Sequence, residues 1–496
     1  MLMLTKTDYA AIARDLTYPS KALINGAWVA AKSGATFETC NPADGTVLAT
    51  LPACQAEDVD AAVASARAAF ESGVWSEVHP SARKAILCKL ADLIAENLVE
   101  LAVMEAIDAG KPISDCLGID VPETANCIRW HAEAQDKLYD QIAPSAPTGL
   151  GLIVREPIGV VGAVLPWNFP LMMMAWKIGP ALAVGCSVIV KPAEQTSLTA
   201  LRLAELALEA GVPPGVLNVI TGMGPDCGEP LGRHMDVDAI TFTGSTEVGR
   251  KFLEYAAQSN LKEVCLEMGG KSAAVVLEDA KDIDKIAEIQ ANAIFWNMGE
   301  NCTANSRIIC HEKHYDALVA AMAAQAAAWQ VGDQMDPATQ NGPLVSEEHY
   351  AKVSGLVETG KAQGGRVVCG GSGAGGLMFQ PTVFAEITKD MDIFQQEIFG
   401  PVVGITKVAS DDEAIALANA TAYGLAATLY TADLAKAHRY ARKLKAGTVG
   451  VNAYSEGEIS TPFGGFKASG FGGRDNGIHA HEQYTELKTI WINLEI

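Results

Sequence analysis

From Leu150 onward, short apolar runs alternate with stretches of helical spacing, and no other feature restricts the fold so tightly. The runs Ile158–Leu165, Ser187–Lys191, Val216–Thr221, Ala239–Thr243 and Ala273–Leu277 predict strands. Between them lie helical patterns over Ala175–Val184 and Ser197–Ala210, near Gly228, and over Glu247–Gln258. Strands apolar on both faces need cover on both faces, and crossover helices supply it, so a parallel, doubly wound α/β sheet follows. The alternation resumes after Cys302 with strand Arg307–Cys310, helix His314–Trp329, strands Arg366–Cys369 and Val402–Val408, helix Asp412–Asn419, strand Ala427–Tyr430 and helix Leu434–Leu444. A second α/β domain is expected there. In such sheets ligands bind at the carboxyl ends of the strands, and a nucleotide is the commonest of them.

The part before Ile142 reads differently: a strand pair formed by Ala22–Ala30 and Ala35–Cys40, then helices Ala56–Glu71, Ser81–Ala109 and Val121–Tyr139. Pro144–Gly149 reads as a break or linker, and Cys369–Gly376 as a flexible loop. The final stretch, Glu486–Ile496, is an alternating apolar strand that would be an unprotected edge unless it pairs with another sheet or subunit. At 496 residues the chain exceeds one core, and two or three domains are expected. Ile158–Val190 is nearly all apolar, but Pro166, Asn168, Pro170, Lys177 and Pro180 interrupt it before a membrane-spanning run of about 18 residues accumulates.

A formal net charge of −22 argues against a nucleic-acid partner. Eleven cysteines, an odd number with no C-x-x-C pair, make neither a disulfide framework nor a zinc ribbon, so a reducing compartment is expected. The first residues, Met1–Lys6, show no secretory leader, and cytoplasm is the default.

Cys302 lies where a helical pattern ends, just past Gly299 and ahead of a strand, and junctions of this kind present reactive groups. It reads as a nucleophile, against the bland alternative of a small buried hydrophobe. Glu267, ahead of Gly269-Gly270 in an apolar context, reads as a general base or as a buried, satisfied carboxylate. Asn168, stiffened between Pro166 and Pro170, is placed to donate to an oxyanion or is simply a turn residue. Gly244-Ser245-Thr-Glu-Val-Gly249 opens a helix after a strand and either holds a pyrophosphate or makes a tight turn. Lys191 and Glu194 follow another strand end, where a carboxylate suits ribose hydroxyls and repels a 2′-phosphate, or merely caps a helix. There is no G-x-S-x-G elbow, and the histidine groups His311/His314 and His479/His481 lack further metal ligands. No metal is expected.

Taken in order, Pro166-Trp167-Asn168-Phe-Pro, Lys191-Pro-Ala-Glu194, Phe242-Thr-Gly244-Ser245, Leu266-Glu267-Met-Gly-Gly270-Lys, Gly299-Glu-Asn-Cys302, Glu397-Ile-Phe399-Gly-Pro and Pro462-Phe-Gly-Gly-Phe-Lys-Ala-Ser-Gly470 resemble the NAD(P)-dependent aldehyde dehydrogenase superfamily over nearly the whole chain. Met268 and Glu300 depart from its commoner leucine and glutamine. The resemblance implies that Cys302 attacks an aldehyde, that Asn168 and the Cys302 amide hold the oxyanion, and that Glu267 activates the water that releases the acid. It also implies NAD, less readily NADP, bound by Trp167, Lys191, Glu194, Gly244, Ser245, Gly249, Glu397 and Phe399. The implied architecture has two doubly wound Rossmann-like domains plus a small β arm. These are a cofactor domain over 1–139 and 156–267, a catalytic domain over 268–476, and an oligomerisation arm over 140–155 and 477–496. A homodimer or homotetramer is implied, with no nucleic-acid or membrane partner.

In that family the aldehyde channel corresponds to Asp120, Met173, Trp176, Asn301, Thr303 and the loop Asn452–Thr461, which carries Glu456 and Glu458. Carboxylates at a channel mouth would attract a cationic tail, unless they are only a solvated acidic loop. Asp120–Glu133 and Tyr484–Leu494 resemble the γ-glutamyl-γ-aminobutyraldehyde and guanidinobutyraldehyde dehydrogenase branch, which implies an ω-aminoaldehyde or its guanidino or acyl derivative. The alternatives are a broad aliphatic or aromatic aldehyde dehydrogenase and, more remotely, a cysteine hydrolase without hydride transfer.

Overall fold

The computed structural model describes residues 4–495. Residues 1–3 and 496, the outermost ends of the expected cofactor domain and arm, lie outside the described residues.

Two open sheets dominate. The first has eight strands, and its parallel core runs Leu217–Val219, Ser187–Lys191, Val160–Val164, Ala239–Gly244, Glu263–Met268. Chain order reverses between Val160–Val164 and Ala239–Gly244, which makes their carboxyl ends the switch point of a doubly wound sheet. The second sheet has seven strands: Arg366–Cys369, Thr382–Ala385, Val402–Val408, Arg307–His311, Ala273–Val276, Ala426–Tyr430 and Thr448–Val451. All its pairings are parallel except the Arg366–Cys369 edge. Strands at the centre of both sheets are buried along their length, as runs apolar on both faces require.

Several sequence expectations are corrected. Ala22–Ala30 does not pair with Ala35–Cys40. It folds on itself as Ala22–Ile24 against Ala27–Val29, because Asn25 and Gly26 take φ of 53° and 71°, the two left-handed positions of a tight hairpin turn. Thr36–Cys40 pairs instead with Val47–Pro52. The expected helix Ser81–Ala109 is two helices, Pro80–Glu96 and Leu98–Ala109, parted at Asn97. The break after Pro144 is the turn of a hairpin, Gln141–Ala143 with Gly149–Pro157, onto which the terminal strand Thr485–Asn493 adds to close a three-stranded antiparallel sheet. The glycine-rich stretch near Cys369 contains a short ladder, Gly373–Gly375 with Met378–Phe379. The strand Glu263–Met268, which carries Glu267, and the helix Glu347–Ala362 were not anticipated.

The apolar segment Ile158–Val190 folds as strand, helix and strand, the helix Pro170–Val184 starting on Pro170 and ending at Gly185 with φ 109°. Among the described residues no helix is long and apolar enough to cross a membrane.

Candidate active site

The carboxyl edge of the first sheet faces the amino edge of the second across one cleft. From the first sheet come the segment after Val164 with Trp167 and Asn168, the end of Ala239–Gly244 with Ser245, and Glu267. From the second come Asn301 and Cys302, just ahead of strand Arg307–His311, and Glu397 and Phe399, just ahead of Val402–Val408. Met173, Trp176 and Glu456 complete the expected lining.

Cys302 is presented by a strained loop. After helix Ile283–Phe295, Asn297 and Met298 both lie in the left-handed region at φ 52° and 56°, and Gly299 follows at φ 70°. Only glycine serves at 299, since a Cβ there would overlap the Gly400–Pro401 peptide. The far side is anchored by buried Arg307, whose guanidinium donates to the carbonyls of Lys271 (2.9 Å), Leu417 (3.1 Å) and Ala418 (3.0 Å). Strain held between two fixed ends is characteristic of functional loops.

The two glycines after Glu267 form the floor. A Cβ on Gly270 would strike the Cys302 carbonyl, and one on Gly269 the Glu397 carboxylate. Their absence lets both approach, and Gly270 N–H donates to Glu397 Oε1 at 2.7 Å.

Asn168 is clamped. Its Nδ2 donates to the Glu300 carbonyl at 2.9 Å, while its own carbonyl accepts from Lys111 Nζ (3.1 Å) and Asn297 Nδ2 (3.2 Å). One amide proton is thereby committed and the other is left for the cleft.

The electrostatics are dominated by buried acid. Burial pushes the Cys302 thiol well above its ordinary range, and the carboxylates of Glu456, Glu397 and Glu267 push it further. Burial also lifts the Glu267 carboxyl well above the usual range, with Asp475 adding to the effect and Lys177, Arg474 and the Gly465 amide opposing it. Glu267 Oε2 is buried and has no hydrogen-bond partner in the protein. Burial raises Glu300 well above its usual range too, with Val345 N–H donating to it at 3.1 Å. A neutral glutamic acid is close in shape to the glutamine that the resemblance leads one to expect there.

Not every expected residue meets the cleft. Asp120 is fully buried behind the Asn168 loop, its Oδ1 3.0 Å from the equally buried Lys111 Nζ, so it is no part of the channel wall. Lys111 needs a counter-charge once desolvated, and that requirement fixes Asp120. Glu458 is exposed on the outside of the Asn452–Thr461 loop. Thr303 is buried behind the wall, with its N–H donating to Asn301 Oδ1. Gly249 packs the helix Thr246–Ala257 onto Met268, whose sulfur occupies the place of a Cβ. Lys191 and Glu194 stand further along the sheet edge as a pair at 3.1 Å, and Glu194 borders a neighbouring open groove.

Three further ionisable residues of the site escaped sequence reasoning. His349 and Lys352, one turn apart on Glu347–Ala362, reach the cleft. His349 Nε2–H donates to the Phe399 carbonyl at 2.6 Å, its ring meets Trp167 edge-on at 4.9 Å, and burial pushes its pKa down to about 4, so it is neutral. Asp475 lines the cleft and pairs with Lys177 at 2.6 Å, both 1% exposed. A lysine inside an otherwise apolar helix was a readable signal of a buried partner. Among the described residues no cluster of His, Cys, Asp and Glu is suited to a metal ion.

The comparisons with known proteins agree with this geometry. The model of the aldehyde dehydrogenase family matches residues 28–490. Over 491 residues the chain is 54% identical to an aminoacetaldehyde dehydrogenase of Pseudomonas aeruginosa, covering 99% of both chains. It is 46% identical to the NADP/NAD-dependent aldehyde dehydrogenase PuuC of Escherichia coli, covering 97% of each. Among solved structures, an indole-3-acetaldehyde dehydrogenase with NAD+ superposes with a TM-score of 0.98 at 47% identity, covering 99% of this chain and all (100%) of that one. A γ-glutamyl-γ-aminobutyraldehyde dehydrogenase of Burkholderia cenocepacia superposes at 0.97 with 48% identity, with coverage of 99% and 100%. The chain belongs to the aldehyde dehydrogenase family and is an enzyme that oxidises an aldehyde to the corresponding acid.

Proposed function

We propose that the protein is an NAD-dependent dehydrogenase of short aldehydes bearing a cationic or acylated amino group, with Cys302 as nucleophile. The observation that carries this reading is the convergence of Cys302, Glu267, Asn168 and the carboxylate of Glu456 on one cleft. Cys302 adds to the aldehyde carbonyl as thiolate, and the resulting oxyanion sits between the free amide proton of Asn168 and the Cys302 N–H. NAD, when bound, supplies the acceptor for the hydride that leaves the substrate carbon. Glu267, desolvated and lacking a protein partner at Oε2, then takes a proton from the water that opens the Cys302 thioester and frees the acid.

The residues suit that cofactor. The close approach of Gly249 to Met268 brings the capped N-terminus of helix Thr246–Ala257 to the sheet edge, where a pyrophosphate is favoured. Glu194, held by Lys191, offers a carboxylate to ribose hydroxyls and repels a 2′-phosphate, which favours NAD over NADP. Trp167, Glu397 and Phe399, which border the cleft, would hold the nicotinamide ribose.

The relatives named for aminoacetaldehyde and γ-glutamyl-γ-aminobutyraldehyde support a substrate with an amino or acylamino tail. A second reading, a neutral aromatic aldehyde, draws on the wall formed by Phe169 against Trp296 (5.4 Å) and Trp176 against Phe463 (5.0 Å), and on the relative named for indole-3-acetaldehyde. We further assign 1–139 and 156–267 to the cofactor domain, 268–476 to the catalytic domain, and 140–155 with 477–496 to an arm through which a homodimer or homotetramer assembles. Leu487 and Trp491, exposed at 68% and 62% on that arm, support its burial by another copy. Eleven free cysteines suit a reducing cytoplasm. Reduction of NAD and NADP followed by absorbance over a panel of 3-aminopropanal, 4-guanidinobutyraldehyde, hexanal and phenylacetaldehyde tests the reading. A higher kcat/KM for hexanal or phenylacetaldehyde than for both cationic aldehydes would reject the tail assignment, and turnover without a nicotinamide would reject the dehydrogenase mechanism.

A further inference from the structure

Glu456 is held in an unusual way. Asn301 Nδ2 (3.0 Å), Tyr454 OH (3.0 Å) and the Thr303 hydroxyl all donate to its Oε1, and among the described residues no donor reaches Oε2. Two of these donors belong to the residues on either side of Cys302. Thr303 N–H closes back on Asn301 Oδ1 at 3.1 Å, and Tyr454 OH and the Thr303 hydroxyl lie 2.7 Å apart. The network therefore pins a carboxylate beside the nucleophile by the nucleophile's own neighbours. Its remaining lone pairs are left for the cleft that Glu456 and Cys302 share.

We propose that Glu456 couples the two ends of the substrate: a cationic tail engaging Oε2 cancels the negative charge beside Cys302, which then releases its proton and attacks the aldehyde at the other end. The charge balance of the cleft is one ammonium or guanidinium gained and one proton lost to solvent, with no other reagent needed. The inference rests on the aminoaldehyde reading and deepens it, because the tail sets reactivity as well as affinity. The other ionisable groups facing Cys302 do not change with the tail. Glu267 and Glu397 stay in place, Lys352 stands at the mouth, His349 is neutral, and Asp475 is already paired with Lys177. Of the carboxylates that oppose thiolate formation, Glu456 acts most strongly, ahead of Glu397 and Glu267. Linkage requires the converse: the affinity of a cation that stays charged, such as a guanidinium, must rise with pH through the range in which Cys302 ionises.

The test is the pH dependence of Cys302 alkylation by iodoacetamide in the full-length enzyme, followed as modification of the Cys302 peptide. The midpoint of the profile is read, since a ligand that merely blocks access changes only the plateau. Saturating propylguanidine, whose cation persists through the range in which a buried thiol ionises, is expected to lower the wild-type midpoint by about one pH unit, the low end of the effect of an adjacent charge, and 1-propanol to leave it unchanged. Glu456→Gln is expected to start at the lower midpoint and to ignore propylguanidine. An unchanged wild-type midpoint under propylguanidine that nonetheless competes with aldehyde overturns the coupling while the aminoaldehyde reading stands. A Glu456→Gln midpoint equal to that of the wild type does the same. If propylguanidine does not compete with aldehyde at all and hexanal outpaces 3-aminopropanal, the substrate reading itself fails and takes the coupling with it.

Discussion

Asn168→Ala isolates one hydrogen bond. The side chain has two amide protons, one committed to the Glu300 carbonyl at 2.9 Å and one left for the oxyanion proposed above. Truncation does not orphan the Glu300 carbonyl, because Asn297 Nδ2 also donates to it at 3.0 Å. Nor does it free the Asn168 backbone, whose carbonyl stays on Lys111 and Asn297. The stability cost is therefore about one net hydrogen bond, roughly 1 kcal/mol, and the loop keeps its course. The kinetic cost is that of removing one preorganised oxyanion donor, a fall in kcat of about 10²–10³, equivalent to roughly 2.7–4 kcal/mol. The carbonyl of the bound aldehyde carries little charge before attack, so KM moves far less than kcat. Asn168→Asp is the sharper variant: it has the same size, but its carboxylate has no proton for Glu300 and repels the oxyanion, so its rate falls below that of Asn168→Ala. Steady-state kinetics at saturating cofactor, beside thermal melts, measure both terms. If Asn168→Ala keeps more than a third of wild-type kcat, or if Asn168→Asp outpaces it, the oxyanion argument is wrong.

Gly270→Ala is expected to abolish turnover with a clear loss of Tm, because its Cβ meets the Cys302 carbonyl and then Leu425 at 3.3 Å, leaving no direction in which to relax. Glu267→Gln tests the raised carboxyl. A folded-state value lifted above 4.5 contributes stability that is full below pH 4.5 and is lost as pH rises through the folded value. The variant should therefore match the wild-type Tm in acid and exceed it increasingly above pH 4.5, while an acyl-enzyme accumulates that mass spectrometry detects. Glu300→Gln follows the same sign and, unlike Glu267→Gln, should keep kcat within about threefold, since Glu300 is held neutral by burial. Lys177→Met leaves Asp475 buried without its cation and should cost about 3–5 kcal/mol in denaturant titration, with Lys177→Met/Asp475→Leu recovering most of it.

That Cys302, Glu267 and Asn168 border one cleft was anticipated from local signatures: Cys302 at a helix–strand junction, Glu267 before paired glycines, Asn168 between prolines. The parallel sheets were readable because their central strands are apolar on both faces. What escaped was set by contacts between distant segments. Glu263–Met268 carries acids near both ends and so resembled no buried strand, although five of its six residues are buried. The hairpin at Asn25-Gly26 was overridden by the apolar run across it. Asp120 was expected in the channel because its neighbourhood has the right pattern, yet Lys111 draws it behind the wall. His349, Lys352 and Asp475 come from a helix and a loop whose approach to the cleft no local pattern encodes.

The crossing from one sheet to the other leaves the glycines after Glu267 no room for a side chain. Strand Glu263–Met268 ends at the carboxyl edge of the first sheet, and Ala273–Val276 begins at the amino edge of the second, so only Gly269–Ser272 spans the gap. That span is also the floor of the cleft, touching Glu397 through Gly270 N–H and receiving Arg307 Nε on the Lys271 carbonyl. A second crossing returns at Gly470–Phe471, which pairs antiparallel with Leu266 and Glu267, and Ser469 just before it donates to the Gly269 carbonyl at 2.7 Å. Glu267 is therefore fixed on a strand bounded on one side by the first sheet and on the other by chain returning from the second. Cys302 is fixed by a loop resting on the crossing itself. Their separation is set by backbone pairing together with the hydrogen bonds that Glu397, Arg307 and Ser469 make to the crossing. A substitution that shifts either sheet edge without touching a reacting atom should therefore reduce kcat before it reduces stability.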